Sequence, residues 1–124
     1  MMNSRSLVSV VDDDESVRES LPDLLKEFGF ASQTFSSAEE FLATDGFART
    51  QCLILDVAMP GMCGPELQGE LNRRNISIPI IFITGQRDEA LRSRLIKMGA
   101  IACLIKPFSD GAMLEALNSA LQIE

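Results

Sequence analysis

Residues 52–61 read CLILDVAMPG, an apolar run that ends in an acid and leads into a turn. The run Cys52 to Leu55 is short and almost continuous in its hydrophobicity, which is typical of a parallel strand buried on both faces. Pro60 and Gly61 then favour a turn. The pattern places Asp56 at the carboxyl end of a buried strand, where open α/β sheets bind their ligands.

Three further runs predict strands because they are short and mostly apolar: Leu7 to Val11, Pro79 to Thr84, and Ala102 to Ile105. Ala31 to Phe35 is a weaker candidate for another strand. Apolar residues at helical spacing follow each strand. They are Val17, Leu21, Leu24, Leu25 and Phe28; Phe41 and Leu42; Leu67 and Leu71; Leu91, Leu95 and Met98; and Met113, Leu117, Ala120 and Leu121. The order β-α is thus repeated five times. Right-handed crossovers then predict one α/β domain, with a parallel sheet covered by helices on both sides.

Several residues mark the ends of these helices. Ser37 followed by Glu40 predicts a capping box, and Ser109 predicts the N-cap of the last helix. Gly29 predicts the end of the first helix. Pro22 lies inside the first helical pattern, so we expect a kink there or a late helix start.

The composition excludes several classes of function. A chain of 124 residues has the size of one domain, and its net charge of −7 disfavours binding to nucleic acid. Histidine is absent, which excludes a Ser-His-Asp triad, a His-ligated zinc site and a phosphohistidine on this chain. The three cysteines lack metal-knuckle spacing and are interpreted as reduced thiols. No apolar run approaches the roughly 20 residues of a membrane span, and no signal peptide begins the sequence. We therefore expect a cytoplasmic protein that contacts no membrane.

Polar residues follow four of the five predicted strands. Asp12 and Asp13 follow the first, Asp56 the third, Thr84 the fourth and Lys106 the fifth. Clustered carboxylates are costly unless a cation joins them, and their hard oxygens suit Mg²⁺. A carboxylate beside the metal can attack phosphorus, while a lysine and a hydroxyl contact the phosphoryl oxygens. The sequence thus predicts phosphoryl transfer to Asp56.

Each of these residues alone also has a structural explanation. The run Asp12 to Glu15 suits a helix N-terminus, where negative charges interact favourably with the helix dipole. Within a metal site, Asp14 and Glu15 would still serve the helix. Asp56 alone is compatible with a turn, and Thr84 and Lys106 with ordinary strand ends. The functional interpretation depends on their convergence at one edge of a sheet.

The chain closely resembles the receiver domain of bacterial two-component response regulators. Matching segments are Val10-Val11-Asp12-Asp13, Leu55-Asp56-Val57 with Met59-Pro60-Gly61 and Gly64, Ile83-Thr84-Gly85, and Gly99-Ala100 leading to Lys106-Pro107-Phe108. Residues 37–42, SAEEFL, and 81–85, IFITG, are most similar to the FixJ-type subgroup, in which the receiver usually precedes a helix-turn-helix DNA-binding domain. The resemblance implies a flavodoxin-like doubly wound (βα)5 sheet of order 2-1-3-4-5. It also implies a tail over residues 1–6, a receiver domain over 7–124, and an output domain outside this chain.

The resemblance implies a role for each site residue. Asp56 would accept a phosphoryl group from a sensor histidine kinase or a small phosphodonor. Mg²⁺ or Mn²⁺ would be bound directly by Asp13, Asp56 and the backbone carbonyl of Ala58, and by Asp12 through a water. Thr84 would sense the phosphoryl group and Lys106 would contact it.

The resemblance also has consequences for the whole protein. It implies no organic cofactor, and a signalling switch that promotes its own phosphorylation and dephosphorylation, not a conventional enzyme. The switch would act in transcription regulation, change the surface of the fourth helix and fifth strand, and allow a homodimer to form on phosphorylation. A cis bond is expected before Pro107. Two departures from the family concern switching: Cys103 stands where many receivers carry Tyr or Phe, and Ala58 offers no side-chain group to orient an attacking water.

Three alternatives compete with a phosphorylation switch. An aspartate-nucleophile phosphatase would need a second Asp two residues after Asp56, where Ala58 stands. A flavodoxin-type flavin module would need a phosphate-binding loop after the first strand, where the acids from Asp12 to Glu15 would repel phosphate. A receiver-like module that only binds a partner would have no need of the complete set of acids, Thr84 and Lys106.

Overall fold

The computed structural model of the protein describes residues 6–122. Its elements are β1 (Leu7–Val11), α1 (Glu15–Glu27), β2 (Ala31–Phe35), α2 (Ala38–Ala43), α3 (Gly46–Arg49), β3 (Cys52–Asp56), α4 (Gly64–Arg73), β4 (Ile80–Thr84), α5 (Glu89–Lys97), β5 (Ala102–Ile105) and α6 (Asp110–Leu121). The tail predicted over residues 1–6 and the end of the domain predicted at 124 fall largely outside the described residues. No helix within residues 6–122 combines the length and the apolar character needed to cross a membrane.

The five strands form one parallel sheet in the order β2-β1-β3-β4-β5. This is the doubly wound order that the resemblance implied. All residues of β3 and β4 are buried, as their continuous hydrophobicity predicted. Two core clusters separate the faces of the sheet: α1 and α6 pack on one, and α2, α4 and α5 on the other.

Alternate residues of the central strands contribute their side chains to the two clusters. Leu53 and Leu55 of β3 point to the face of α2, α4 and α5, whereas Ile54 between them points to the face of α1 and α6. This period of two fixes which way the last residue of each strand points. Because the strands are all parallel, the carboxyl ends of β1, β3, β4 and β5 lie along the same edge of the sheet.

The sequence predictions need four corrections. The helix α3 lies between α2 and β3, so the simple fivefold β-α order is incomplete. Helix α1 begins at Glu15 and continues through Pro22, so its start is not late. Met98 is not a core residue, because it lies one position past the end of α5 and is 41% exposed. Ser37 caps the backbone N–H of Glu40 as predicted, but the Glu40 carboxylate accepts from Ser36, so the capping box is not reciprocal.

Candidate functional site

Asp56 is the last residue of β3, and its side chain is buried at the edge of the sheet. The backbone folds back over it because the N–H of Gly64 donates a hydrogen bond of 3.0 Å to the carbonyl of Val57. A side chain at Gly64 would overlap the carbonyl oxygen of Asp56, so only glycine allows this approach. The Met-Pro-Gly turn and Gly64 thus hold Asp56 at the mouth of the site.

Asp12 and Asp13 reach the same place from the end of β1. Asp12 is fully buried, whereas Asp13 is exposed. Carboxylate oxygens of Asp12, Asp13 and Asp56 all lie within 4.8 Å of one another. The three predicted acids therefore form one cluster, as their positions at the ends of neighbouring strands required.

Several contacts hold the Asp12 loop in place. The Oδ1 atom of Asp12 accepts a hydrogen bond of 2.9 Å from the N–H of Asp14. The backbone carbonyl of Asp12 accepts one of 2.9 Å from Nη1 of Arg18. Arg18 was not predicted from the sequence, because a contact from a helix side chain to a backbone carbonyl leaves no spacing pattern. It places a cation beside the acidic loop without pairing with any of the three carboxylates.

Asp14 serves the helix and not the cluster, as its structural explanation predicted. It is the N-cap of α1, and its carboxylate accepts hydrogen bonds from the hydroxyl and the N–H of Ser16. These two bonds lower the pKa of Asp14. Glu15 occupies the first turn, where a negative charge interacts favourably with the helix dipole.

Lys106 extends from the end of β5 across the site. Its Nζ atom lies 3.1 Å from Oδ2 of Asp12 and 3.6 Å from Oδ1 of Asp56. Desolvation disfavours the charged amine, but the hydrogen bond to Asp12 and the charges of Asp12 and Asp56 outweigh it, so the pKa of Lys106 is raised. The peptide bond between Lys106 and Pro107 is cis, as the resemblance implied.

The environment of Asp56 raises the pKa of its carboxyl to about 7. Burial is the largest cause, and the charge of Asp12 adds to it, while Lys106 acts in the opposite direction. An ionised carboxylate is therefore costly here without more positive charge than Lys106 supplies. A bound divalent cation would provide that charge.

The donor set fits a hard divalent cation. Carboxylate and carbonyl oxygens are the ligands of Mg²⁺ and Mn²⁺, and no softer donor joins the cluster. Both oxygens of Asp12 already accept hydrogen bonds, whereas within residues 6–122 no residue donates one to the carbonyl of Ala58. Asp12 therefore has less capacity left for direct metal contact than the carbonyl of Ala58.

A cavity of about 390 Å³ opens beside Asp56, with Ala58, Thr84 and Lys106 in its walls. Thr84 is the last residue of β4, and its Oγ1 accepts a hydrogen bond of 3.1 Å from the N–H of Gln86. Among residues 6–122, its own hydroxyl hydrogen has only the Gln86 carbonyl as a partner, at a distance of 3.5 Å. A bond this long is weak, so the hydroxyl remains available to a ligand in the cavity.

Cys103 lies on β5 next to this loop and is 8% exposed. A gap of only about 10 Å³ separates it from Thr84, Gln86 and Arg92, which is close to the minimum for one water molecule. Desolvation raises the pKa of the Cys103 thiol.

Comparison with known proteins identifies the family and its fold. The family model described as the response regulator receiver domain matches residues 8–118. The chain belongs to the response regulator receiver domain family. Receiver domains are regulatory modules and not conventional enzymes, and the acidic cluster occupies the place where the family binds Mg²⁺.

Individual relatives agree with this assignment. The receiver domain is 43% identical over 120 residues to Nodulation protein W of Bradyrhizobium diazoefficiens, covering 97% of this chain and 53% of the relative. It is 41% identical to the transcriptional regulatory protein FixJ of Azorhizobium caulinodans, covering 92% of this chain and 54% of the relative. The crystal structure of FixJ-N is 39% identical, with a TM-score of 0.86 and coverage of 100% of this chain and 98% of that one. The chain spans about half the length of the curated relatives it matches.

Proposed function

We propose that this receiver domain accepts a phosphoryl group on a carboxylate oxygen of Asp56 and acts as a signalling switch. The convergence at Asp56 carries the proposal: three carboxylates have oxygens within 4.8 Å of one another, and the ammonium of Lys106 lies 3.6 Å from Asp56. A strand-end acid beside such a cluster is suited to attack on phosphorus.

The proposed donor is a phosphohistidine on a sensor kinase or a small phosphodonor, and a donor histidine lies outside this chain, which contains none. A carboxylate oxygen of Asp56 attacks phosphorus, the P–N bond of the donor breaks, and the imidazole of the kinase takes up a proton. A mixed anhydride forms on Asp56. The domain thereby promotes its own modification but turns over no separate substrate.

Asp13, Asp56 and the carbonyl of Ala58 would hold Mg²⁺ or Mn²⁺ directly, with Asp12 contributing through a water. When bound, the metal neutralises the acids and the developing charge on the transferred group. Lys106 contributes a second positive charge 3.6 Å from Asp56, and the Thr84 hydroxyl can donate to a phosphoryl oxygen. That donation competes with the contact between Thr84 and Gln86, and so links phosphorylation to the loop before α5.

Incubation with Mg²⁺ and acetyl phosphate, followed by intact mass measurement, tests the proposal. We expect the wild type to gain the mass of one phosphoryl group, and both an Asp56→Asn variant and wild type in chelator to gain none. Labelling of the Asn variant equal to that of the wild type would contradict Asp56 as the acceptor.

We further infer that the full-length protein is a transcriptional regulator with a DNA-binding output domain, acting in the cytoplasm. A relative named as a transcriptional regulatory protein supports this, as do the free thiols of Cys52, Cys63 and Cys103. The charge of −7 argues against nucleic-acid binding by the receiver itself.

We propose that phosphorylation changes the surface of α5 and β5, where a second copy can associate. Three large apolar side chains are exposed there, Ile96, Met98 and Ile101. Sedimentation with and without acetyl phosphate tests this. Dimerisation of the phosphorylated wild type, but not of Asp56→Asn, is the expected result, and a monomer in both states would contradict it.

A further inference from the structure

The carboxylate of Glu39 crosses from α2 to the segment that follows Asp56. Residues 57–63, which we call the acceptor loop, connect β3 to α4 and contain Ala58. Oε2 of Glu39 accepts a hydrogen bond of 2.9 Å from the N–H of Met62 in this loop. The contact joins residues 23 positions apart. It lies outside the acid cluster and serves neither a helix cap nor an ion pair.

Gly61 provides an independent observation of the same contact. A Cβ atom built on Gly61 would lie 2.6 Å from Oε2 of Glu39, which is closer than real Cβ atoms approach another atom. The φ angle of Gly61 is +75°, a conformation that favours glycine. The loop therefore has no side chain at this position, and the Glu39 carboxylate lies directly against the backbone of Gly61 and Met62.

The rest of the acceptor loop is held at its two ends. Val57 is fixed to β4 by its N–H and to Gly64 by its carbonyl, and the N–H of Cys63 donates to Glu66. Met59 is buried in the core cluster that includes Ala38 and Phe41 of α2. The middle of the loop is thus held by the burial of Met59 on one side of Pro60 and by Glu39 of α2 on the other.

We propose that Glu39 is a positioning residue for the metal site, which sets the affinity for Mg²⁺ by fixing the acceptor loop through Met62. The proposal rests on the function proposed above, in which the carbonyl of Ala58 is a metal ligand. Ala58 and Met62 belong to the same seven-residue loop, with three residues between them, so a displacement at Met62 can reach the backbone that presents this carbonyl. Loss of one charge-assisted hydrogen bond should weaken Mg²⁺ binding about threefold to tenfold.

The negative charge of Glu39 could also attract the cation through space. The variant Glu39→Gln separates the two effects because it removes the charge and keeps a side-chain oxygen that can accept from Met62. Glu40 gives a matched control on the same turn of α2. It is also exposed and acidic, but it accepts from Ser36 and not from the acceptor loop.

The experiment compares wild type, Glu39→Ala, Glu39→Gln and Glu40→Ala by two measurements. Amide hydrogen exchange of Met62 in metal-free protein reports the contact itself. Calorimetric titration with Mg²⁺ alone reports the affinity. We expect Glu39→Ala to lose protection at Met62 and to bind Mg²⁺ about threefold to tenfold more weakly, with Glu39→Gln and Glu40→Ala within about twofold of wild type.

Wild-type affinity in Glu39→Ala would overturn the proposal, as would an equal loss of affinity in Glu39→Ala and Glu40→Ala. An equal loss in Glu39→Gln would also overturn it, in favour of the charge. A wild-type protein that binds no Mg²⁺ would instead overturn the proposed function. The exchange of Met62 distinguishes these failures, because it tests the Glu39 contact without metal.

Discussion

The ammonium of Lys106 donates a hydrogen bond of 3.1 Å to Oδ2 of Asp12, across the ends of the two strands that separate β5 from β1. The Asp12 side chain is completely buried, and that of Lys106 is 26% exposed. A buried carboxylate without a partner is costly. Lys106 therefore has a structural role, as the partner of Asp12, in addition to its proposed contact with a phosphoryl group. The ion pair with Asp12 stabilises the metal-free site.

Replacement of Lys106 by Met should therefore destabilise the metal-free domain. Met keeps an apolar stem but leaves Asp12 without its cation, and we expect the free energy of unfolding to fall by about 1–3 kcal/mol. Urea unfolding followed by circular dichroism measures this, since the chain has no Trp for fluorescence. The control is Lys97→Met at an exposed position on α5. Equal stability of the two variants would contradict the structural role of Lys106.

Removal of the Asp56 charge should have the opposite effect on stability. Burial and the neighbouring Asp12 disfavour the ionised carboxylate of Asp56. An Asp56→Asn variant relieves that cost, and at pH 8 in chelator we expect about 1–2 kcal/mol of added stability. Urea unfolding checks the value, with exposed Asp23→Asn as the control for net charge.

The response to Mg²⁺ provides a second measurement on the same variant. Wild type should gain stability as Mg²⁺ is added, because a ligand that binds only the folded state raises its free energy of unfolding. Asp56→Asn lacks one of the proposed carboxylate ligands and should gain much less. A variant that is less stable than wild type in chelator would show that Lys106 already compensates the buried charges.

The sequence was sufficient for most of the sheet because four of the strands are short apolar runs with clear limits; β2, with three polar residues of five, is the exception. The predicted bounds of β2 and β5 agree with the structure, and β3 extends one residue further to include Asp56. Because all the strands are parallel, the residues that follow them lie at the same end of the sheet. This topology alone brings the acids, Thr84 and Lys106 together. The helix α3 was missed because four residues are too few to show a helical period.

Contacts that depend on tertiary geometry could not be predicted. Met98 has the spacing of a core residue, but the helix ends before it and the side chain is exposed. Arg18 and Glu39 each reach a backbone group in another segment, and neither contact depends on a sequence period. The order of the strands came from the resemblance to receivers, because the pattern of elements is compatible with other arrangements.

Substitution of Gly64 should show that glycine is needed there for the close approach to the Asp56 backbone, and that helix propensity does not decide the choice of residue. A Cβ at Gly64 would overlap the carbonyl oxygen of Asp56 and lie 3.0 Å from the ring of Phe82. Both neighbours are buried, so we expect Gly64→Ala to cost about 2–3 kcal/mol and to slow phosphorylation by acetyl phosphate. Urea unfolding and mass measurement check the two effects.

Gly69 on the same helix is the matched control. A Cβ there meets nothing within 4 Å, and alanine is the better helix former. Gly69→Ala should therefore raise the free energy of unfolding by about 0.5–1 kcal/mol. Similar effects of the two substitutions would mean that the approach of Gly64 to Asp56 does not limit the choice of residue.

The three thiols should react with iodoacetamide in the order Cys63, Cys103, Cys52. The thiolate is the reactive form, and burial raises the pKa of Cys52 to about 12 while also hiding it completely. Cys63 is only partly buried, at the N-cap of α4. Pulse labelling and peptide mass spectrometry measure the three rates, and protein in urea serves as the control in which they converge.

Because Cys52 lies on the central strand β3, its labelling requires opening of the sheet, and its rate should fall further when Mg²⁺ stabilises the folded domain. A Cys52 rate equal to that of Cys63 in native buffer would contradict a buried β3.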